Sequence, residues 1–210
     1  MTNILIVDDH PLVREGVKKV LAGEPDISIV AEAKDASEIT RYIDTNEVDL
    51  VLLDISMPGK DGLEALKEVK LRFPTLPVLI LSMHPEERFA MRALEAGASG
   101  YVTKMNTTEE LVKAIRTVRS GKNYMSSILA DKLVSQLQSK SPPPTSNVLS
   151  DREFQILRLI ASGKTAGEIA RQLYLSVNTV NTHRRRILEK MSMKTTVELI
   201  QYAIQNQIVE

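Results

Sequence analysis

The chain has 210 residues, enough for two average domains, and its 43% apolar and 26% charged content is ordinary for soluble globular proteins. It contains no cysteine, which excludes a disulfide framework, a thiolate metal site and a catalytic thiol. No basic stretch precedes the first apolar run, and no run is long enough to span a bilayer. We therefore expect a cytoplasmic protein without a secretory signal and without membrane contact.

The net charge of zero conceals a difference between the two parts of the chain. Residues 1–120 carry 15 Lys and Arg against 20 Asp and Glu, a net −5, whereas residues 121–210 carry 12 against 7, a net +5. An acidic part joined to a basic part indicates different partners for each, with nucleic acid a candidate for the second.

The first 120 residues alternate short apolar runs with amphipathic stretches, which predicts five strands and five helices. The predicted strands are Asn3–Asp8, Ile27–Ala33, Leu50–Asp54, Val78–Ser82 and Gly100–Thr103. The predicted helices are Pro11–Leu21, Ala36–Asp44, Gly62–Phe73, Pro85–Ala96 and Thr108–Ser120. Capping boxes are expected at Asp35 with Glu38 and at Thr107 with Glu110. This pattern fits an α/β fold, a flavodoxin-like (βα)5 doubly wound parallel sheet of order 2-1-3-4-5, over residues 1–121.

A linker is expected over residues 122–147. Lys122–Leu137 has the pattern of an amphipathic helix, whereas Ser139–Asn147 contains three consecutive prolines that exclude regular helix or sheet.

Residues 148–210 have a helical pattern throughout. Capping boxes are expected at Ser150 with Glu153 and at Thr165 with Glu168, Gly163 closes the first helix, and Ser176 caps the third. A fourth helix is expected from about Thr195 to Gln207. Four short helices with tight turns predict a small all-α helix-turn-helix domain with an added C-terminal helix.

Charged residues stand at the ends of three predicted strands. Asp8 and Asp9 close the first, Asp54 closes the third, and Lys104 follows the fifth. The carboxyl ends of parallel strands lie along one edge of a sheet, so we expect these four side chains to meet in one crevice. Three carboxylates in contact repel each other by roughly 4 kcal/mol per pair at an effective dielectric of 20, which favours a bound divalent cation.

An aspartate in such a crevice can act as a nucleophile toward phosphorus and form an acyl phosphate. Mg²⁺ and a lysine can neutralise the phosphoryl oxygens during this reaction. We expect Asp54 to be the nucleophile, with Lys104 and the hydroxyl of Ser82 contacting the phosphoryl group. The expected Mg²⁺ ligands are Asp8, Asp9, Asp54 and the backbone carbonyl of Ser56. His10 is interpreted as a surface neighbour of the acids.

These residues resemble the receiver domain of bacterial two-component response regulators. The matching residues are Asp8, Asp9, Asp54, Met57, Pro58, Gly59, Ser82, Tyr101 and Lys104. The resemblance implies that a partner histidine kinase phosphorylates Asp54. It also implies a switch in which Ser82 turns toward the phosphoryl group while Tyr101 turns inward, although a half-buried core tyrosine is the alternative. Many receivers have a cis-proline after the lysine, but Met105 stands here, so no cis geometry is expected.

The predicted helix Val177–Met191 has two distinct faces. Val180, Ile187 and Met191 form an apolar stripe with Leu188 beside it. The outward face carries groups that read base edges in a major groove, namely Asn178, Thr182, Arg185 and Glu189, flanked by Asn181 and Arg186. The stem of Arg184 is expected to pack near the stripe while its tip reaches a phosphate, and Lys164 and Thr165 are further candidates for backbone contacts. An ordinary solvated face is the alternative interpretation.

Residues 149–194 resemble the LuxR-type helix-turn-helix of NarL/FixJ-class response regulators. The matching positions are Leu149–Glu153, Gly163, Glu168–Ala170, Leu173, Ser176, Thr179, Val180, His183, Ile187 and Leu188. The chain departs from the family where Thr165–Gly167 replaces a Ser-Asn-Lys-like triplet and where Asn181 stands in place of a frequent lysine. The DNA target therefore cannot be carried over.

The last predicted helix has an apolar side formed by Val197, Ile200, Ala203 and Ile204. These residues either pack against the three-helix core or form a dimer contact, since two-fold DNA sites need paired readers. For the contact we select Val197, Ile200 and Ile204.

These observations predict a transcription regulator that binds double-stranded DNA at a two-fold operator and forms a homodimer when Asp54 is phosphorylated. It would not be a turnover enzyme. The alternative of an aspartyl-phosphate phosphatase needs a second acid two residues after the nucleophile, where Ser56 stands. A nucleotide-binding module needs a glycine-rich loop after the first strand, where Asp8–Pro11 stands. A receiver that binds DNA constitutively remains open.

Overall fold

Strands and helices alternate through the first 120 residues, as the apolar periodicity predicts. The computed structural model describes residues 1–55, 57, 62–83, 86–105, 107–126, 130, 149–206 and 208–209. The chain divides into two compact units, Met1–Ser139 and Lys140–Glu210. The division falls within the predicted linker 122–147, whose bounds remain a prediction.

The first unit contains one parallel sheet in the order β2-β1-β3-β4-β5, which confirms the predicted fold. The strands are β1 (Thr2–Val7), β2 (Ile27–Ala33), β3 (Leu50–Leu53), β4 (Val78–Ser82) and β5 (Gly100–Thr103). Two strands end one residue earlier than predicted, so Asp8 and Asp54 lie just beyond β1 and β3. Their amides still donate to neighbouring strands, Asp8 to the Ala33 carbonyl and Asp54 to the Val7 carbonyl.

Five helices accompany these strands in the described part of the first unit. They are α1 (Pro11–Leu21), α2 (Ile39–Thr45), α3 (Gly62–Arg72), α4 (Glu86–Glu95) and α5 (Thr108–Arg119). A 3-10 turn over Ala36–Glu38 precedes α2, where one continuous helix was predicted. Asp35 caps this turn by accepting from the Ser37 amide, as predicted, but Glu38 accepts from the Lys34 amide, so the reciprocal contact of a capping box does not form. Thr107 does cap α5 by accepting from the Glu110 amide.

Helices cover both faces of the sheet, so β3, β4 and most of β1 are buried on both sides, whereas β2 is only partly buried. Ile4 and Ile6 of β1 pack in one cluster with side chains of α1 and α5, among them Val17 and Ile115. The alternate residue Leu5 is equally buried and faces the opposite side of the sheet. Asp8, Asp54 and Lys104 each lie just beyond the end of a strand.

The segment after α5 returns to the sheet. Tyr124 forms a parallel bridge with Gly100, and its amide donates to the Ser99 carbonyl at 2.9 Å. Residues 122–126 are consequently not helical, contrary to the prediction for Lys122–Leu137, although Ala130 is. Residues 127–129 and 131–137 of that prediction, and the Pro-rich stretch Ser139–Asn147, lie outside the described residues.

The second unit contains four helices in its described part, as predicted. They are α6 (Asp151–Ala161), α7 (Ala166–Gln172), α8 (Val177–Lys190) and α9 (Thr196–Gln205). Capping boxes at Ser150 with Glu153 and at Thr165 with Glu168 are both present, and Ser176 caps α8. Gly163 follows the end of α6 with a φ of +79°, a conformation that glycine adopts without strain. No helix in the described part of the chain has the length and apolarity needed to cross a membrane.

Candidate functional site

Two buried carboxylates lie side by side at the carboxyl edge of the sheet. Val7 and Leu53 are paired across β1 and β3, so the residues that follow them, Asp8 and Asp54, are neighbours. Asp8 is 2% exposed and Asp54 is 1% exposed. Burial disfavours an isolated carboxylate strongly, so both groups require positive charge nearby.

Lys104 supplies this charge from the end of β5. Its Nζ lies 2.6 Å from Asp8 Oδ2 and 2.7 Å from Asp54 Oδ2, and its side chain is 5% exposed. The Lys104 amide donates to the Ser82 carbonyl at 2.7 Å, which holds its backbone against the end of β4. Burial lowers the pKa of Lys104, but the carboxylates of Asp54 and Asp8 outweigh burial and the pKa is raised. The lysine therefore stays protonated between the two acids.

Asp9 and His10 complete the cluster on its exposed side. Ligand atoms of Asp8, Asp9, His10 and Asp54 all lie within 4.8 Å of one another. His10 is an exposed neighbour, as predicted, with Nδ1 3.2 Å from Asp8 Oδ1 and 3.0 Å from Asp9 Oδ1. Asp9 Oδ1 is buried, but the angles of its contact with His10 do not make a hydrogen bond, and no other described residue donates one to it. Three carboxylates facing one lysine leave net negative charge, and carboxylate oxygens are the ligands that Mg²⁺ prefers.

The remaining residues predicted for this site have different outcomes. Ser82 is the last residue of β4 and is 0% exposed, and Tyr101 is 1% exposed, so its ring is fully rather than half buried. Ser56, Pro58 and Gly59 lie outside the described residues, so the carbonyl ligand expected from Ser56 stays a prediction. No peptide bond in the described part of the chain is cis, in agreement with the expectation for Met105.

Two residues near the acids were missed by the sequence analysis. Arg14 Nη1 lies 2.6 Å from the carbonyl oxygen of Asp8. A Cβ atom added to Gly62 would lie 2.4 Å from Ile55 Cα and 2.5 Å from the Asp54 carbonyl oxygen, so only glycine fits there. The signals in the sequence were an arginine one turn into α1 and a glycine eight residues after Asp54.

Helix α8 presents the face that its helical phase predicts. Val180, Ile187 and Met191 are buried at 5% exposure or less, whereas Asn178 and Arg185 are exposed. Thr182, Arg186 and Glu189 are exposed as well, and Asn181 is half-buried. This confirms the division into an apolar and a polar face; the role of each polar residue in DNA binding stays a prediction.

Local contacts restrain several of these polar groups. The Thr182 hydroxyl donates to the Asn178 carbonyl at 2.9 Å, and Arg185 Nε lies 3.6 Å from Glu189 Oε1. Arg184 is exposed, so the predicted packing of its stem is at most partial, and His183 takes the half-buried position beside it.

Four further residues of interest lie in the segments that flank α7. Lys164 hydrogen-bonds Gln172, and Thr165 caps α7 through Glu168. Tyr174, with a φ of +53°, is 82% exposed in the turn before α8, and Val177 is 46% exposed at the first position of α8. Neither Tyr174 nor Val177 was selected from the sequence, although Val177 lies off the apolar stripe and could have been recognised for that reason.

Helix α9 divides its apolar residues between two sides. Leu199 and Ala203 are fully buried, whereas Val197 is 61% exposed and Ile204 is 54% exposed. Ile200 is half-buried. The sequence analysis left open whether the apolar side of this helix packs inward or forms a dimer contact, and it did not select Ala203 for the contact. Ala203 packs inward together with Leu199, which lies one turn before it.

Two protein-family models match the chain. The response regulator receiver domain model matches residues 4–116, and the model of bacterial regulatory proteins of the luxR family matches residues 147–203. Among relatives, the response regulator UvrY of Escherichia coli K12 is 38% identical over 207 residues, 98% of this chain and 95% of its own. The oxygen regulatory protein NreC of Staphylococcus aureus JH9 is 38% identical over 214 residues, 99% of each chain.

Solved structures of response regulators also resemble this chain. RcsB from Salmonella enterica serovar Typhimurium, bound to the promoter rprA in the presence of the phosphomimetic BeF3⁻, matches with a TM-score of 0.68 and 26% identity. That match covers 96% of this chain and 98% of RcsB. A LuxR-family response regulator from Aurantimonas sp. SI85-9A1 matches with a TM-score of 0.61 and 38% identity, over 66% of this chain and all of its own.

Proposed function

Because the chain belongs to the two-component response regulators, with a receiver domain and a LuxR-type DNA-binding domain for transcription regulation, we propose that phosphorylation of Asp54 controls its binding to DNA. The family consists of DNA-binding regulators rather than metabolic enzymes. The chemistry proposed here is accordingly limited to the gain and loss of a phosphoryl group at Asp54.

The observation that carries this proposal is the position of Lys104 Nζ, within 2.7 Å of both buried carboxylates. In the reaction, an oxygen of Asp54 attacks the phosphorus of a phosphohistidine, the phosphorus–nitrogen bond breaks, and the histidine keeps the electron pair. Lys104 then moves its hydrogen bond from the carboxylate to the phosphoryl oxygens. The donor histidine belongs to a partner sensor kinase.

Asp8, Asp9 and Asp54, with the carbonyl of Ser56, are the proposed ligands of Mg²⁺. The metal would neutralise charge on the transferred group when bound. The buried Asp9 Oδ1, which accepts no hydrogen bond from the described residues, supports this assignment because a buried carboxylate oxygen needs a donor or a cation.

Ser82 and Tyr101 form the proposed switch. Ser82 is the last residue of β4. Its hydroxyl would donate to the phosphoryl group, while Tyr101 turns inward. The burial of Tyr101, which is 1% exposed, supports the inward position of this ring. Phosphorylation would then shift a two-state equilibrium of the receiver toward dimers and a DNA-binding state.

The proposed DNA contacts lie on α8 and at the start of α7. Base edges would be read by Asn178, Asn181, Thr182 and Arg185, and phosphates would be bound by Lys164, Thr165, Arg184 and Arg186. The exposed apolar residues Val197 and Ile204, with Ile200 between them, are the proposed dimer contact for a two-fold operator. Because its DNA target lies in the bacterial cytoplasm, we place the protein there.

The test uses acetyl phosphate with Mg²⁺ on wild type, Asp54→Asn and the control Asp44→Asn, whose carboxylate pairs with Arg72 far from the site. Intact mass and affinity for DNA fragments selected from a random library are measured together. We expect one added phosphoryl group and tighter DNA binding for wild type and Asp44→Asn, and neither for Asp54→Asn. Phosphoryl gain by Asp54→Asn would contradict the assignment of the nucleophile. Equal DNA affinity of wild type with and without phosphodonor would favour the constitutive alternative.

A further inference from the structure

Arg14 reaches from α1 back to the acidic cluster. Its Nη1 donates to the Asp8 carbonyl oxygen at 2.6 Å, and its Nε donates to Glu32 Oε2 at 3.1 Å. The side chain is 18% exposed. A guanidinium carries five donors in a fixed plane, so one arginine can hold a backbone carbonyl and a carboxylate simultaneously.

The backbone of Asp8 is consequently held from two directions. Its amide donates to the Ala33 carbonyl on β2 at 3.1 Å, and its carbonyl accepts from Arg14. Rotation of the peptide between Asp8 and Asp9 would break the second bond. Because this peptide determines the directions in which the two carboxylates leave the chain, Arg14 restrains their separation.

Glu32 anchors the other end of the arginine. Its second oxygen, Oε1, lies 2.8 Å from Lys18 Nζ, also on α1. The hydrogen bond from Lys18 lowers the pKa of Glu32, burial opposes this, and Arg14 lowers it further, with a net decrease. Glu32 therefore remains a carboxylate at neutral pH. Lys18 and Arg14 share this anchor, but Arg14 alone of the two contacts Asp8.

We propose that Arg14 is a positioning residue that sets the arrangement of Asp8 and Asp9 required for cation binding. Its guanidinium hydrogen-bonds the backbone oxygen of Asp8 and the carboxylate of Glu32, not the carboxylates proposed to bind the cation. It therefore acts on the cation site through the Asp8 carbonyl. This inference rests on the proposed function, since it concerns the same Mg²⁺ site. A purely structural role, in which Arg14 only ties α1 to β2 through Glu32, is the alternative.

Lys18 provides a matched control for the test. Arg14→Gln and Lys18→Gln each remove one positive charge from α1 and one partner of Glu32, but only the first removes the bond to Asp8. Mg²⁺ affinity of the full-length chain is measured by calorimetry, and the thermal midpoint without Mg²⁺ is measured in parallel. We expect Arg14→Gln to weaken Mg²⁺ binding about 10-fold, the usual scale for residues that orient metal ligands. Lys18→Gln should stay within about twofold of wild type, because Lys18 binds Glu15 and Glu32 and does not hold the Asp8 carbonyl.

The outcomes separate the two ideas. If wild type binds Mg²⁺ and both variants lose affinity equally, the positioning role is wrong and the proposed function stands. If wild type binds no Mg²⁺, the proposed metal site is wrong and the inference is overturned with it. Should Arg14→Gln fail to fold, Arg14→Lys replaces it, since a single ammonium cannot hold both partners in one plane. A folded Arg14→Lys chain with wild-type affinity would overturn the proposal.

Discussion

Lys190 Nζ lies 2.6 Å from Glu153 Oε2 and joins the end of α8 to the start of α6. Glu153 is 3% exposed and also accepts from the Ser150 amide in the capping box of α6. One carboxylate thus caps one helix and binds the last turn of another, the helix that carries the proposed DNA-reading residues.

Removing the charge of Lys190 should therefore loosen the second unit. We expect Lys190→Met to destabilise the second unit by about 1–2 kcal/mol. This is less than the loss expected for a fully buried ion pair, because Lys190 is 39% exposed and water can solvate Glu153 once the ammonium is removed. Hydrogen exchange of the α6 and α8 amides in the full-length chain reports this change locally. The exposed pair Arg185–Glu189 gives the control. Arg185→Met should change the opening free energy measured by hydrogen exchange by less than about 0.5 kcal/mol.

The same pair predicts a pH dependence. Burial raises the pKa of Glu153, but Lys190 and Ser150 outweigh burial and the pKa falls below its ordinary 4.5. A carboxyl with a lower pKa in the folded state contributes stability above its unfolded pKa and loses it as pH falls through the folded value. Protection of α6 should therefore decrease below about pH 4.5 in wild type and less steeply in Lys190→Met. Parallel decreases in both proteins would contradict this assignment.

Substitution of Lys104 tests the charge balance of the acidic cluster. Without its ammonium, the buried carboxylates of Asp8 and Asp54 lose the positive charge that bridges them, so Lys104→Met should destabilise the metal-free chain by about 3–5 kcal/mol. Added Mg²⁺ should then raise the thermal midpoint more in the variant than in wild type, because the cation replaces the missing charge. Lys113→Met, at an exposed position of α5, should leave the wild-type response to Mg²⁺. An equal Mg²⁺ response in all three proteins would argue against a cation at these acids.

Gly62 should tolerate no side chain. In Gly62→Ala the new Cβ would lie 2.4 Å from Ile55 Cα, a backbone atom that moves only with the end of β3. We expect a loss of about 1–3 kcal/mol and slower phosphorylation by acetyl phosphate, because Asp54 precedes Ile55. Gly16→Ala is the matched control: nothing lies within 4 Å of its added Cβ, so it should stabilise α1 by about 0.5–1 kcal/mol. Chemical denaturation and intact mass measure both effects, and wild-type values for Gly62→Ala would exclude the steric role.

Two neighbouring arginines of α8 should differ in their effect on DNA binding. Arg185→Gln should cost about 1–3 kcal/mol on selected fragments and relax the base preference at one position. Arg184→Gln should weaken binding to all fragments similarly. It should also reduce the slope of log affinity against log salt concentration by about 1, the value expected for the loss of one phosphate contact. Selection from a random library followed by titration at several salt concentrations distinguishes them. Identical base preferences and salt slopes for the two variants would refute the division of roles.

The amino-acid sequence by itself determined the order of strands and helices, the acids at the strand ends and the two faces of α8. These features depend on periodicity and capping within a few residues, which local physical chemistry controls. It left open whether the apolar side of α9 packs inward or forms a contact, because that choice depends on where the neighbouring helices lie.

The sequence predicted that the acids and Lys104 meet at one edge of the sheet, but only the tertiary structure decided which atoms of distant residues are in contact. Lys104 bridges Asp8 and Asp54 across segments 96 and 50 residues away, and Gly62 meets the backbone after Asp54. Arg14 is near Asp8 in the chain, yet it is the contact with Glu32 on β2 that directs its guanidinium to the Asp8 carbonyl. Such contacts follow from how packed elements position their side chains, and no local pattern in the sequence encodes those distances.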